Sequence, residues 1–118
     1  MRSPSQWSEG VFRAATLVCL SAVAAHAVAA DDRTVLAQGR ALFTVQAVPS
    51  CALCHTLNEA GATGAVGPSL DDLRPEESRV AKALKSGIGA MPSYRALLSD
   101  EQITALAKYV AKASGASE

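Results

Sequence analysis

Apolar residues recur at helical spacing in three stretches of the chain, and this periodicity predicts a helical protein. The first predicted helix runs from Thr34 to about Ala47. Its apolar side is formed by Val35, Leu36, Leu42 and Phe43. Gly39 lies within this helix, where a glycine costs about 1 kcal/mol relative to alanine. Gly39 is therefore either a tolerated weakness or a point where another helix approaches closely, with Phe43 one turn further along.

A second helix is predicted from about Pro75 to Ser86, ending at Gly87. Proline suits the first position of a helix because a backbone N–H at that position would have no hydrogen-bond partner within the helix. Acidic residues begin the segment and lysines end it, as the helix dipole favours. Three basic residues form a thin stripe that is either a solvated face or a docking surface for an acidic partner: Arg79, Lys82 and Lys85.

The third predicted helix begins at Ser99, and Gln102 three residues later completes a capping box. Its expected buried stripe consists of Ile103, Leu106, Tyr109 and Val110. Between the first two helices, residues 56–70 are rich in glycine, alanine and proline, and they are predicted to form a loop. A long loop in a small domain is usually functional.

The first 30 residues have the pattern of a secretory signal peptide. Arginines precede an apolar run at residues 14–25, and small residues lead to the polar pair Asp31-Asp32. The apolar run is short for a membrane span and is interrupted by His26. Cys19 lies in this run, and the bulky Val18 before it disfavours lipid attachment. We therefore expect cleavage near residue 30, a periplasmic location and no stable membrane insertion afterwards.

Removing 30 of the 118 residues leaves 88, enough for one domain at residues 31–118. After residue 30 there are nine lysines and arginines and ten aspartates and glutamates, which gives no support to nucleic-acid binding. Large aromatic side chains in this part are limited to Phe43, Tyr94 and Tyr109. So few aromatic residues fit a small domain whose core is built around a cofactor.

The chemistry is concentrated in the sequence Cys51-Ala52-Leu53-Cys54-His55. This Cys-x-x-Cys-His pattern is the attachment signature of covalent c-type haem: two thiols join the porphyrin vinyl groups and the histidine binds the iron. A zinc site would need four ligands, more than the remaining cysteines and histidine provide. A thioredoxin-like dithiol would need an α/β scaffold, and no alternating strand pattern is present.

The second axial ligand of the iron is less strongly specified. With His26 in the leader, no second histidine remains after cleavage, so the candidates are Met91, Tyr94, a lysine or no protein ligand. Met91 is favoured because methionine opposite histidine is common in electron-transfer haem proteins and raises the reduction potential. Glycine, alanine and proline flank it and would form a short rigid loop. Upstream, backbone carbonyls around Pro68 are placed to hold the His55 ring N–H, and Leu70 is expected to pack on the porphyrin.

Taken in order, these motifs resemble those of class I cytochrome c across residues 33–113. The matching residues are Gly39, Phe43, Cys51, Cys54, His55, Gly67-Pro68-Ser69-Leu70, Met91-Pro92 and Tyr109. The resemblance implies a small all-α fold of three to five helices around one covalent haem c, with the first and last helices crossing at Gly39. It also implies thioethers at Cys51 and Cys54, axial ligation by His55 and Met91, and a Pro68 carbonyl that orients His55.

A narrower resemblance is to the small cytochrome subunits of bacterial sulfite dehydrogenases. It is carried by Cys-Ala-Leu-Cys-His-Thr-Leu, Gly-Ala-Thr-Gly-Ala-Val-Gly-Pro-Ser-Leu and Gly-Ile-Gly-Ala-Met-Pro. It implies a molybdenum-containing catalytic subunit as electron donor, and an oxidase or another cytochrome as acceptor. The leading hypothesis is thus an electron carrier rather than an enzyme. A dedicated subunit of such a complex, an open-site haem enzyme or gas sensor, and a haem-free thiol redox protein are the alternatives.

Overall fold

The computed structural model describes residues 31–116. The chain divides into two units, Met1–Arg33 and Thr34–Glu118, and the predicted signal peptide lies outside the described residues. Four α-helices carry the described fold: α1 (residues 31–41), α2 (Leu70–Leu73), α3 (Glu77–Ser86) and α4 (Asp100–Ser114). The predicted class of small all-α fold is confirmed.

The predicted first helix is confirmed, but its last turn is wider than an α-helix. Leu42–Gln46 is a π-helical turn, closed by the Ala47 N–H donating to the Leu42 carbonyl at 3.1 Å. The Ser50 hydroxyl donates to the carbonyls of Phe43 (3.1 Å) and Thr44 (2.8 Å). These bonds satisfy carbonyls that the end of a helix leaves unpaired, and they fold the chain back towards Cys51.

The helix α1 meets α4 at Gly39, as the resemblance to class I cytochrome c implied. A Cβ at Gly39 would lie 2.3 Å from the Ala105 carbonyl oxygen and 2.4 Å from Cβ of Tyr109. The Phe43 ring packs edge-on against Tyr109 with 6.0 Å between centroids, and both residues are buried. Close backbone approach and aromatic packing therefore fix this crossing.

Residues 56–70 are more ordered than the predicted loop. Thr56–Leu57 (β1) pairs antiparallel with Ala62–Thr63 (β2), and a short 3-10 turn, Asn58–Ala60, joins them. Gly61 supplies the positive φ of 66° that this turn needs. Strands of two residues carry almost no periodicity signal, so the sequence pattern missed this hairpin.

The helix α3 ends at Ser86 before Gly87, as predicted, but it begins at Glu77 rather than Pro75. Pro75 precedes the cap residue Glu76, and its ring is buried against a cavity instead of starting the helix. The helix α4 has the predicted capping box between Ser99 and Gln102. Its predicted apolar stripe is buried: Ile103, Leu106, Tyr109 and Val110. No helix in the described part of the chain is long and apolar enough to span a membrane.

Candidate haem-binding site

A largely apolar cavity of about 410 Å³ opens beside the Cys-x-x-Cys-His motif. This volume is within the range of ordinary small-molecule and cofactor pockets. The cavity brings together all six residues that the sequence singled out for the site: Cys51, Cys54, His55, Pro68, Leu70 and Met91. They come from three separate segments of the chain, and folding places them around one space.

The motif itself forms a tight turn. Cys51–Leu53 is a 3-10 turn, and the N–H groups of Cys54 and His55 both donate to the Cys51 carbonyl, at 3.1 Å and 2.9 Å. This turn places the two thiols and the imidazole on the border of the same cavity. The geometry suits a flat ligand that is bonded through two sulfur atoms and one ring nitrogen.

The His55 ring has a fixed orientation. Its Nδ1 lies 2.8 Å from the Pro68 carbonyl oxygen, which is the contact predicted for a backbone carbonyl in this loop. A carbonyl can only accept a hydrogen bond, so Nδ1 carries the proton and Nε2 keeps a free lone pair. A metal-binding histidine generally has a partner of this kind on its second nitrogen.

Two glycines next to His55 have contacts that leave no room for a side chain. A Cβ at Gly67 would lie 2.5 Å from Cε1 of His55, and one at Gly64 would lie 2.7 Å from the backbone of Cys54 and His55. The Gly67 N–H also donates to the Cys54 carbonyl at 2.7 Å. Gly64 was not identified from the sequence as a contact of the Cys54–His55 backbone, although it lies three residues before Gly67 in the same predicted loop.

Met91 is presented by a narrow turn that follows α3. Ile88 and Met91 exchange backbone hydrogen bonds at 3.1 Å and 2.9 Å, and Gly89 between them has φ of 57°. A Cβ at Gly87 would lie 2.8 Å from the Met91 carbonyl oxygen. The short rigid loop predicted around Met91 is therefore present, and the Met91 side chain lines the cavity.

Tyr94, a weighed alternative ligand, uses its hydroxyl elsewhere. The side chain is buried, and its hydroxyl donates to the Pro49 carbonyl at 2.7 Å. Burial, together with the neighbouring Cys51 and Cys54, raises the pKa of Tyr94 to about 12. A hydroxyl that stays protonated and donates to a carbonyl is a poor candidate for iron ligation.

Burial also raises the pKa of the Cys51 thiol to about 11. Reactive dithiols of redox proteins have lowered thiol pKa values, because the thiolate is the attacking species. Cys51 has the opposite property, which weighs against the haem-free thiol redox alternative.

The described residues fit haem c by the chemistry of their donor atoms. Two thiols, one oriented imidazole and one thioether border the same apolar space. Residues 41–58, 60–70 and 86–94 contain no Asp, Glu, Lys or Arg. An apolar cofactor with a metal centre is the ligand that such a cavity favours.

This fold and this site define a monohaem class I c-type cytochrome, and its cofactor is covalently bound haem c. The family model described as cytochrome c oxidase, cbb3-type, subunit III matches residues 34–110, and the chain belongs to that family. Among solved structures, the chain is similar to the c-type cytochrome SorU from Sinorhizobium meliloti. The two are 48% identical with a TM-score of 0.68, over 70% of this chain and 94% of SorU. No match was found among curated proteins.

Proposed function

We propose that this protein is a periplasmic electron carrier whose haem iron is ligated by His55 and Met91. Cys51 and Cys54 hold the haem through thioether bonds, while Pro68 and Leu70 orient His55 and cover the porphyrin. The observation that carries the proposal is the arrangement of these six side chains around one apolar cavity. The family match and the similarity to a c-type cytochrome support the electron-carrier role.

The haem supplies the one-electron chemistry when it is bound, and the protein controls its potential and surroundings. The Pro68 carbonyl holds the proton on Nδ1 of His55, so Nε2 would be free to bind the iron. As a ligand, the Met91 thioether would favour the reduced iron more than a second imidazole would. Buried apolar residues exclude water from the site, including Leu70 and Leu84. His55 is the single histidine in the sequence of residues 31–118. Its use as an iron ligand would leave no imidazole in that part of the chain to act as a general base.

The periplasmic location rests on the sequence of residues 1–30 and on the cofactor. The apolar run with small residues before Asp31 has the pattern of a cleavable leader. Mass spectrometry of the purified holoprotein tests both points together. The expected mass is that of residues 31–118 plus about 0.6 kDa for the covalent cofactor.

The first experiment on the iron ligands is a visible spectrum of the purified protein, oxidised and then reduced with dithionite. Methionine sulfur on ferric haem c gives a weak band at about 695 nm, and the reduced protein should show a sharp band at about 550 nm. We expect both bands and no reaction with carbon monoxide. A ferrous protein that binds carbon monoxide readily would instead indicate the open-site enzyme or sensor.

For the electron donor we propose a molybdenum-containing sulfite dehydrogenase, with an oxidase or another cytochrome as acceptor. The support for this donor is the resemblance of three sequence runs, at residues 51–57, 61–70 and 87–92, to cytochrome subunits of such enzymes. Exposed apolar residues at the cavity mouth favour close docking to a dedicated partner: Val66, Ile88, Ala90 and Pro92.

The charge distribution predicts how docking to this donor responds to salt. The loop segments that carry these four residues contain no Asp, Glu, Lys or Arg, and Arg79 is the charged residue among those that line the cavity, so electrostatic steering should contribute little to association. We expect the second-order rate of reduction by the sulfite-reduced enzyme to fall less than about threefold between about 20 mM and 500 mM KCl. Stopped-flow absorbance of the reduced band measures this rate. A fall of tenfold or more would place docking on the basic stripe formed by Arg79, Lys82 and Lys85, and no reduction at all would exclude this donor.

A further inference from the structure

The loop that presents Met91 has two kinds of anchor. Local bonds attach it to the end of α3: the Tyr94 N–H donates to the Leu84 carbonyl at 2.7 Å, and the Ser93 hydroxyl donates to the Lys85 carbonyl at 2.7 Å. These partners lie within ten residues of each other in sequence. They fix the shape of the loop relative to its own helix, but they do not fix its distance from the Cys51–His55 turn.

The Tyr94 hydroxyl provides an anchor of the second kind. It donates at 2.7 Å to the carbonyl of Pro49, which is 45 residues away in sequence and two residues before Cys51. This bond joins the segment that carries Met91 to the segment that carries the thiols and His55. The bond therefore connects the two groups of proposed haem-binding residues, one at Cys51–His55 and the other at Met91.

Tyr94 is itself held firmly, which is what a cross-link of this kind requires. Its side chain is 3% exposed and lines the cavity. Its carbonyl accepts from the N–H groups of Leu97 and Leu98, both at 2.9 Å, and its N–H is bonded to Leu84. Because both backbone groups are bonded and the ring is buried, Tyr94 has little freedom, and its hydroxyl bond connects the position of Pro49 to that of the Met91 loop.

We propose that Tyr94 is a positioning residue for the sixth ligand: its hydroxyl holds the Met91 loop to the Cys51 segment and keeps the thioether on the iron. This inference rests on the proposed His55/Met91 ligation. Tyr94 acts through Pro49 and the loop backbone rather than by touching the iron. Loss of its hydroxyl should leave the fold and the haem attachment intact while making it easier for Met91 to dissociate.

The test compares the ferric holoproteins of wild type, Tyr94→Phe and Tyr109→Phe. The Tyr94 change removes one hydroxyl and keeps the ring. Tyr109→Phe is the matched control because its hydroxyl also donates from a buried ring, but to the Glu59 carboxylate, in a part of the fold that does not line the cavity. Imidazole is the probe, because an added ligand can bind the iron only when Met91 leaves it.

We expect Tyr94→Phe to bind imidazole about three- to tenfold more tightly, the factor that corresponds to losing one ordinary hydrogen bond. Its band at about 695 nm should disappear at a lower urea concentration than the loss of helical circular dichroism. Tyr109→Phe should unfold at lower urea but keep the wild-type imidazole affinity and lose its band and its helical signal together.

Three results would overturn the proposal in distinguishable ways. If Tyr94→Phe and Tyr109→Phe bind imidazole with the same affinity, the Tyr94 hydroxyl has only a structural role. If the band and the helical signal of Tyr94→Phe are lost together, the Met91 loop is not released separately. If wild-type protein lacks the band, the Met91 assignment fails first, and the inference about Tyr94 fails with it.

Discussion

Replacing Met91 with alanine is expected to lower the reduction potential on the order of 0.2 V, a fraction of the ~0.8 V range that axial ligands control. Alanine has no donor atom, so under the proposed Met91 ligation the iron would lose the ligand that favours its reduced state. Two of the groups that could replace it already have partners: the Tyr94 hydroxyl donates to Pro49, and the Lys85 ammonium lies 2.9 Å from Asp100. The ferric band at about 695 nm should disappear, and the ferrous protein should bind carbon monoxide.

Two further variants separate ligand loss from damage to the loop. Met91→His should also lose the band and lower the potential, but it should stay six-coordinate and unreactive towards carbon monoxide, because imidazole replaces the thioether. Ile88→Ala alters an exposed side chain in the same turn while keeping its backbone hydrogen bonds. It should leave the potential nearly unchanged. If Met91→Ala keeps the wild-type spectrum and potential, another group is the sixth ligand.

The sequence singled out six residues that the fold brings around one cavity, because covalent haem attachment demands fixed residue types at fixed spacing. The turn at Cys51 and the Met91 loop need no long-range information to be recognised. The Pro68 carbonyl was anticipated as a partner for His55 and lies 2.8 Å from its Nδ1. By contrast, the Tyr94 bond to Pro49 spans 45 residues. No local pattern indicates such a pair, since many carbonyls are available to a tyrosine before the fold is known.

The fold shows the same division between local and long-range information. The α4 capping box and apolar stripe are local signals, and both are confirmed. The hairpin at Thr56–Thr63 depends on a turn and two residue pairs, too short for a periodic pattern to detect. Pro75 was assigned to the start of α3 from its backbone preference alone. In the structure it lies two residues before that helix and is buried beside the cavity.

Gly39→Ala is expected to destabilise the protein by about 2 to 3 kcal/mol, the upper part of the range of about 1 to 3 kcal/mol that overpacking typically costs. Helix propensity acts in the opposite direction, because alanine in an open helical position is favoured over glycine by about 1 kcal/mol. At Gly39 the added Cβ would lie 2.3 Å from the backbone oxygen of Ala105, which cannot move without shifting α4. Steric repulsion therefore outweighs the gain in helix propensity, and Gly39→Ala destabilises the protein instead of stabilising it.

Urea unfolding of the holoprotein, followed by circular dichroism, measures this difference, and Ala37→Gly is the matched control. Ala37 lies two residues earlier in the same helix and is exposed, so its replacement reports the propensity term alone, a loss of about 1 kcal/mol. A crossing fixed at Gly39 predicts that both exchanges destabilise, although one adds a methyl group and the other removes one. If Gly39→Ala instead raised the free energy of unfolding by as much as Ala37→Gly lowers it, α1 and α4 would not be in close contact at this point. Close contact between the two helices would then no longer explain why a glycine lies in the middle of α1.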